Sequence, residues 1–185
     1  MKEAISKNRG FTLVEMLVVI FIIGLISSTL VFSWRKNERQ YKLQMAAQKI
    51  VQDIRKAQEI ALAGKQVWDG PQGQYTVPNS FGVYFNRTSP RSYIIFGDIL
   101  GNPGYQSGSA DVVLETASIE SGIEIYSLSG GNFMNITFSI PDGFTSILQG
   151  PSNQATITIR RINASCPSKN CKSIIVKNTG EISIQ

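Results

Sequence analysis

Two cysteines are the residues of this sequence with the clearest chemistry. Cys166 and Cys171 enclose four residues, Pro-Ser-Lys-Asn. Outside the cytoplasm, two thiols this close most simply form a disulfide, and the short loop limits its stabilisation to about 2 kcal/mol. Redox catalysis is a poorer alternative, because the spacing is not C-x-x-C and no activating group is evident. We therefore predict a structural disulfide.

The sequence contains no histidine. This absence excludes histidine-activated nucleophiles, a histidine general base and histidine-containing metal sites. Two cysteines alone cannot complete a four-ligand zinc site. Glu115, Glu120 and Glu124 lie close enough in sequence for a paired-acid site, but solvated strand and turn positions explain them better. We expect no enzymatic activity, no cofactor and no metal.

Charge is distributed unevenly along the chain, whose net charge is +5. Residues 35–65 hold eight bases and three acids, residues 66–150 two bases and seven acids, and residues 151–185 five bases and one acid. A solvated face or a subunit contact is the favoured interpretation of the last group. A DNA-phosphate patch, with steeply salt-dependent affinity, is the alternative. This basic cluster comprises Arg160, Arg161, Lys169, Lys172 and Lys177.

An apolar segment runs from Phe11 to Trp34, with Glu15 as its one charged residue. As a helix of about 24 residues it would be roughly 36 Å long, enough to cross a hydrocarbon core. It is long for a secretory signal peptide, and no A-x-A-like cleavage site follows it. Neither that interpretation nor a simple signal anchor explains Glu15. An acid inside a spanning helix costs about 2.5–3.5 kcal/mol, so we expect it to have a partner.

The helix is predicted to continue beyond the apolar segment, from Phe11 to about Ala63, with Gly64 as its C-cap. Lys49 and Asp53 are spaced for an ion pair along it. A helix hairpin or a free coiled coil is less favoured, because the apolar stripe is short and a β-rich region follows. The stripe recurs at 4-3-4-3-4 spacing, as Leu43, Ala47, Ile50, Ile54, Ala57 and Ala61.

After Pro71 the apolar residues alternate with a period of two, as in Phe81, Val83 and Phe85. Glycine, proline and asparagine separate the alternating runs, which favours antiparallel strands joined by short turns. The predicted fold class is α+β, with the long N-terminal helix packed on an antiparallel β-sheet head. Further predicted strands are Ser92–Phe96, Val112–Glu115, Ile123–Leu128, Ser173–Val176 and Glu181–Ile184.

The start of the chain resembles the class III signal of type IV pilins and pseudopilins. A short basic leader ends in Gly10, and the sequence Phe-Thr-Leu-Val-Glu then opens the apolar run. The resemblance implies that a prepilin peptidase cleaves after Gly10, that the new amine of Phe11 is methylated, and that Glu15 is needed for assembly. The amine of one subunit and Glu15 of a neighbour can neutralise each other inside a filament, where an unpaired charge is costly.

The remainder is similar to the GspH/FimT group of minor pseudopilins, in which a helical stem leads to a β head. The similar pieces are residues 52–66, 136–146, 155–161 and 173–184. Glu181 follows Gly180 where that group often has arginine. This difference weakens a DNA-binding inference taken from FimT-type members.

The resemblance implies four segments: a cleaved leader (1–10), a transmembrane and assembly helix (11–34), an amphipathic stem (35–64) and a β-rich head (65–185). We expect a single-pass protein of the bacterial inner membrane, with a cytoplasmic N-terminus and the head outside, that later joins a filament. The expected function is a minor pilin or pseudopilin of a type IV pilus or type II secretion system. The alternative is a DNA-binding minor pilin for DNA uptake. Expected partners are the prepilin peptidase, other pilins, the inner-membrane assembly platform and membrane lipid, with DNA less favoured.

Overall fold

A computed structural model describes residues 10–102, 104–108, 111–151 and 153–185, and gives the backbone alone for residues 29–37 and 39. Of the predicted leader, residues 1–9 lie outside the described part. The chain divides into two compact units, Met1–Arg39 and Gln40–Gln185, and each is described by itself.

One helix, α1 (Leu13–Leu62), begins in the first unit and ends in the second. Gly64 has a positive φ of 58° directly after it. The amide of Lys65 donates to the carbonyl of Ile60 at 3.3 Å, and the amide of Gly64 donates to that of Ala61 at 3.0 Å. These two bonds form a Schellman motif, which satisfies carbonyls at the helix end. The C-cap predicted at Gly64 is confirmed.

Apolar side chains of the first unit are exposed all around the helix, from Leu13 to Ile26. Within the described residues, no helix is both long enough and apolar enough to cross a membrane. The predicted spanning segment, residues 11–34, continues into positions whose side chains lie outside the described part.

The second unit holds the strands, which in the described residues form three antiparallel sheets. The predicted α+β class with antiparallel strand pairing is confirmed. The prediction described one antiparallel sheet, whereas the observed strands are divided among three. Strand orders are β1-β2, β11-β10-β9-β6 and β5-β4-β3-β7-β8. The strands are β1 (Val67–Asp69), β2 (Gln74–Thr76), β3 (Ser80–Asn86), β4 (Ser92–Asp98), β5 (Asp111–Ser118), β6 (Ile123–Leu128), β7 (Phe133–Ser139), β8 (Thr145–Leu148), β9 (Gln154–Arg161), β10 (Cys171–Lys177) and β11 (Ile182–Ile184).

The hydrophobic core lies between the second half of α1 and the two larger sheets. All six residues of the predicted stripe are buried there. They belong to one cluster with Phe81, Val83 and Phe85 of β3 and with Ile157 and Ile159 of β9. The helical spacing therefore identified the face of α1 that packs against the head.

Polar side chains of α1 also reach the sheet. The Lys49 ammonium donates to the carbonyl of Ser118 at 3.0 Å. The buried Tyr93 hydroxyl donates to the Asp53 carboxylate. Burial, followed by this hydrogen bond, raises the pKa of Tyr93 well above its ordinary value. The ion pair predicted between Lys49 and Asp53 is replaced by these contacts, because both side chains find partners on the strands.

Candidate functional site

The predicted processing position lies just ahead of α1. Gly10 and Phe11 precede the helix, and the Phe11 side chain is 76 % exposed. A Cβ added at Gly10 would meet no atom within 4 Å. The peptide bond between these residues is thus in an exposed, non-helical segment, which suits access by a peptidase.

Glu15 lies in the first turn of α1, where its backbone amide donates to the Thr12 hydroxyl at 3.2 Å. Thr12 is the N-cap, and the order Thr-x-x-Glu is that of a capping box. A negative charge near a helix N-terminus is also favourable, by about 0.3–1 kcal/mol. Glu15 therefore has a local role at the helix start, which the sequence interpretation missed, in addition to the predicted pairing.

Cys166 and Cys171 form a disulfide, as predicted, with their Cα atoms 5.9 Å apart. The bridge joins the loop after β9 to the first residue of β10. Within the loop, the Ser168 hydroxyl donates to the carbonyl of Ser165 at 2.7 Å. The exposed Lys169 lies on this cross-linked turn.

The basic cluster is not gathered on one face of its sheet. Arg160 is paired in register with Cys171, and Lys172 with Ile159. Because side chains alternate along a strand, Arg160 lies on one face, while Lys172 shares the opposite face with the buried Ile159. Arg161 is paired with the buried Ile123 and lies on that second face as well.

Two members of the cluster form ion pairs. The Arg160 guanidinium lies 2.8 Å from the Glu124 carboxylate and stacks over Tyr126, 4.4 Å from the ring centre. Lys177 lies 2.8 Å from Glu181. Only part of the predicted positive charge therefore remains for an external phosphate. Contact of this cluster with DNA or another subunit stays a prediction.

The acids singled out in the sequence are held apart. Glu124 pairs with Arg160, and Glu115 lies 2.6 Å from the Lys56 ammonium. That hydrogen bond lowers the pKa of Glu115 and raises the pKa of Lys56. In the described part of the chain, no group of three His, Cys, Asp or Glu residues could hold a metal ion.

A different pair of acids, Asp98 and Asp111, meets across β4 and β5. Both are buried. Asp98 accepts a 2.7 Å hydrogen bond from the amide of Gly101, and Asp111 accepts one of 2.6 Å from the amide of Gln106. Burial is the main cause that raises the pKa of both, and the charge of Asp98 raises that of Asp111 further. These acids anchor the connection between β4 and β5.

The buried acids should give a measurable pH dependence. The ordinary pKa of aspartate is 3.8, and the folded value of Asp111 lies above it. The ionised Asp111 carboxylate therefore destabilises the folded state. This destabilisation is absent below pH 3.8 and fully present above the raised pKa. We expect the stability of Asp111→Asn relative to wild type to increase as the pH rises from about 4 to 7. Urea unfolding across this range measures it, with the exposed Asp142→Asn as control. If the stability of Asp111→Asn relative to wild type fell with rising pH, the raised pKa of Asp111 would be contradicted.

The family model described as the prokaryotic N-terminal methylation motif matches residues 5–31. This range includes Gly10, Phe11 and Glu15. The match supports a type IV pilin-like protein, with prepilin processing and assembly with other pilins. No curated protein and no solved structure matches the chain.

Proposed function

We propose that this chain is a minor pilin or pseudopilin of the GspH/FimT group, a structural subunit of a type IV pilus or a type II secretion pseudopilus. It catalyses no reaction and is itself a substrate of the prepilin peptidase. The observation that carries the proposal is the methylation motif at residues 5–31. The exposed bond after Gly10 and the helix start at Leu13 are consistent with such processing.

Residues 11–34 hold the chain in the bacterial inner membrane before assembly, with the N-terminus in the cytoplasm. The exposed apolar side chains between Leu13 and Ile26 favour this role, because a helix that is apolar all around requires lipid or neighbouring helices. In the filament, the helices of other subunits replace the lipid. The head lies outside the cytoplasm, where the Cys166–Cys171 disulfide is stable.

Processing provides the direct test. We expect co-expression with a prepilin peptidase to remove residues 1–10 and to place a methyl group on the amine of Phe11. Gly10→Val should remain full length, because the added side chain occupies the position where the peptidase must approach the backbone closely. Intact-mass spectrometry and N-terminal sequencing read both results.

Gly24→Val is the matched control, since a Cβ at Gly24 also meets no atom within 4 Å. It makes the same chemical change inside the apolar segment and should be processed normally. Normal processing of Gly10→Val, or a wild-type chain that stays uncleaved and unmethylated, would overturn the proposal.

A further inference from the structure

The N-cap of α1 lies directly beside the bond that the prepilin peptidase is proposed to cleave. The Thr12 hydroxyl accepts a 3.2 Å hydrogen bond from the amide of Glu15. The Thr12 carbonyl accepts one of 3.2 Å from the amide of Met16, which is the first bond of helical spacing in the described part of the chain. Gly10 and Phe11 precede the helix and are exposed. The helix boundary therefore falls just after the Gly10–Phe11 bond.

The position of this boundary determines which backbone groups the scissile bond can offer to a peptidase. In an α-helix, each amide donates to the carbonyl four residues earlier. If the helix extended through Gly10, the amide of Val14 would bind the Gly10 carbonyl, which is the carbonyl that must be attacked. The amide of Glu15 would bind the Phe11 carbonyl. Such a turn would have to unwind before a peptidase could bind the backbone on both sides of the bond.

Thr12 opposes this extension because its hydroxyl competes for one of the same amides. It occupies the Glu15 amide, which a longer helix would require for the Phe11 carbonyl. Proline cannot set this boundary, since the first proline of the sequence is Pro71. Gly10 disfavours a helical conformation at one position, but only the cap specifies the residue at which the helix begins.

We propose that Thr12 is a positioning residue for prepilin processing, because its cap keeps the Gly10–Phe11 bond outside the helix. This inference rests on the proposed cleavage after Gly10. Thr12 acts on the conformation of the substrate and not through contact with the peptidase. When the binding-competent conformation of a substrate is less populated, its apparent affinity falls in proportion. Loss of the cap should therefore raise KM and leave kcat unchanged, because every bound chain is already unwound.

Thr12→Val tests the cap, since valine has nearly the shape of threonine and a similar helix propensity but lacks the hydroxyl. The substrate is the full chain in detergent, the enzyme is a purified prepilin peptidase, and intact-mass spectrometry follows the cleavage. An N-cap contributes roughly a factor of five to the equilibrium at a helix start. We expect KM to rise by about two- to fivefold in Thr12→Val, with kcat retained.

Nuclear magnetic resonance of the full chain without the peptidase separates this conformational effect from a lost contact with the enzyme. The backbone ¹³C chemical shifts of Gly10 and Phe11 report whether these residues are helical. They should move towards helical values in Thr12→Val and stay at wild-type values in Thr12→Ser. Serine keeps the capping hydroxyl, so Thr12→Ser should also be processed with the wild-type KM.

Ser28→Ala is the matched control. It removes a hydroxyl that donates to the carbonyl of Leu25 at 2.8 Å, within the same helix but away from its start, and it should be processed as wild type. An unchanged KM in Thr12→Val, equal impairment of Thr12→Ser, or a raised KM without helical shifts at Phe11 would overturn the inference and leave the proposed function intact. A wild-type chain that stays uncleaved would overturn both.

Discussion

Ile54→Ala is expected to lower the free energy of unfolding of the head by about 2–5 kcal/mol. Ile54 has no exposed surface and lies at the centre of the α1 stripe, in one cluster with residues of both larger sheets. Truncation loses the transfer free energy of the side chain. It also leaves a cavity that the surrounding strands, held by their own hydrogen bonds, can fill only in part. Chemical denaturation of the full chain, followed by near-ultraviolet circular dichroism, measures the change.

Two companion variants make this result specific to packing. Ile54→Val removes a single methylene group and should cost about 0.5–1.5 kcal/mol. Arg55→Ala changes the exposed neighbouring position and should stay within about 0.5 kcal/mol of wild type. If Ile54→Ala and Arg55→Ala had equal effects, the α1 stripe would not be the helix surface that stabilises the head.

The stripe was predictable because helix periodicity is a local property of the sequence. Spacings of three and four residues place the six residues of the stripe, from Leu43 to Ala61, on one face of a helix. This holds independently of how the rest of the chain folds. The helix end was predictable for the same reason, since Gly64 adopts the positive φ that other residues rarely tolerate. Of the predicted strands, Ile123–Leu128 has the observed bounds because clear turn residues flank it.

The division into sheets was not predictable, because pairing is non-local. β6 pairs with β9, and β3 pairs with β7, across long stretches of intervening sequence. Strands β1, β2 and β8, each of three or four residues, were missed.

The same limit applies to the candidate sites. Sequence proximity grouped Arg160 with Arg161, although the alternation of side chains along β9 places these neighbours on opposite faces. Asp98 and Asp111 were not recognised as a pair because only the register of β4 with β5 brings them together.

Glu15 has two physical roles, and they make different predictions. The capping arrangement with Thr12 stabilises the helix start within one subunit. Under the proposed function, its charge also neutralises the Phe11 amine of a neighbour in the filament core. Glutamine can take the place of glutamate in a capping box, and the backbone amide at position 15 can still donate to the Thr12 hydroxyl in Glu15→Gln. Glu15→Gln loses the charge, whose local contribution at the helix start is only about 0.3–1 kcal/mol, so a much larger effect on assembly reports the pairing between subunits.

Glu15→Gln should reduce incorporation into filaments by at least about 100-fold, because an amine left without its buried partner costs about 3–5 kcal/mol. Insertion into the membrane should be retained, since removal of a charge makes the segment more apolar. Thr12→Val removes the cap but keeps the charge, and at a cost of about 1 kcal/mol it should assemble far better than Glu15→Gln. Quantitative immunoblotting of sheared filaments against membrane fractions measures both. The opposite order, with Thr12→Val impaired and Glu15→Gln assembling normally, would assign Glu15 to the helix cap and rule out the pairing with Phe11.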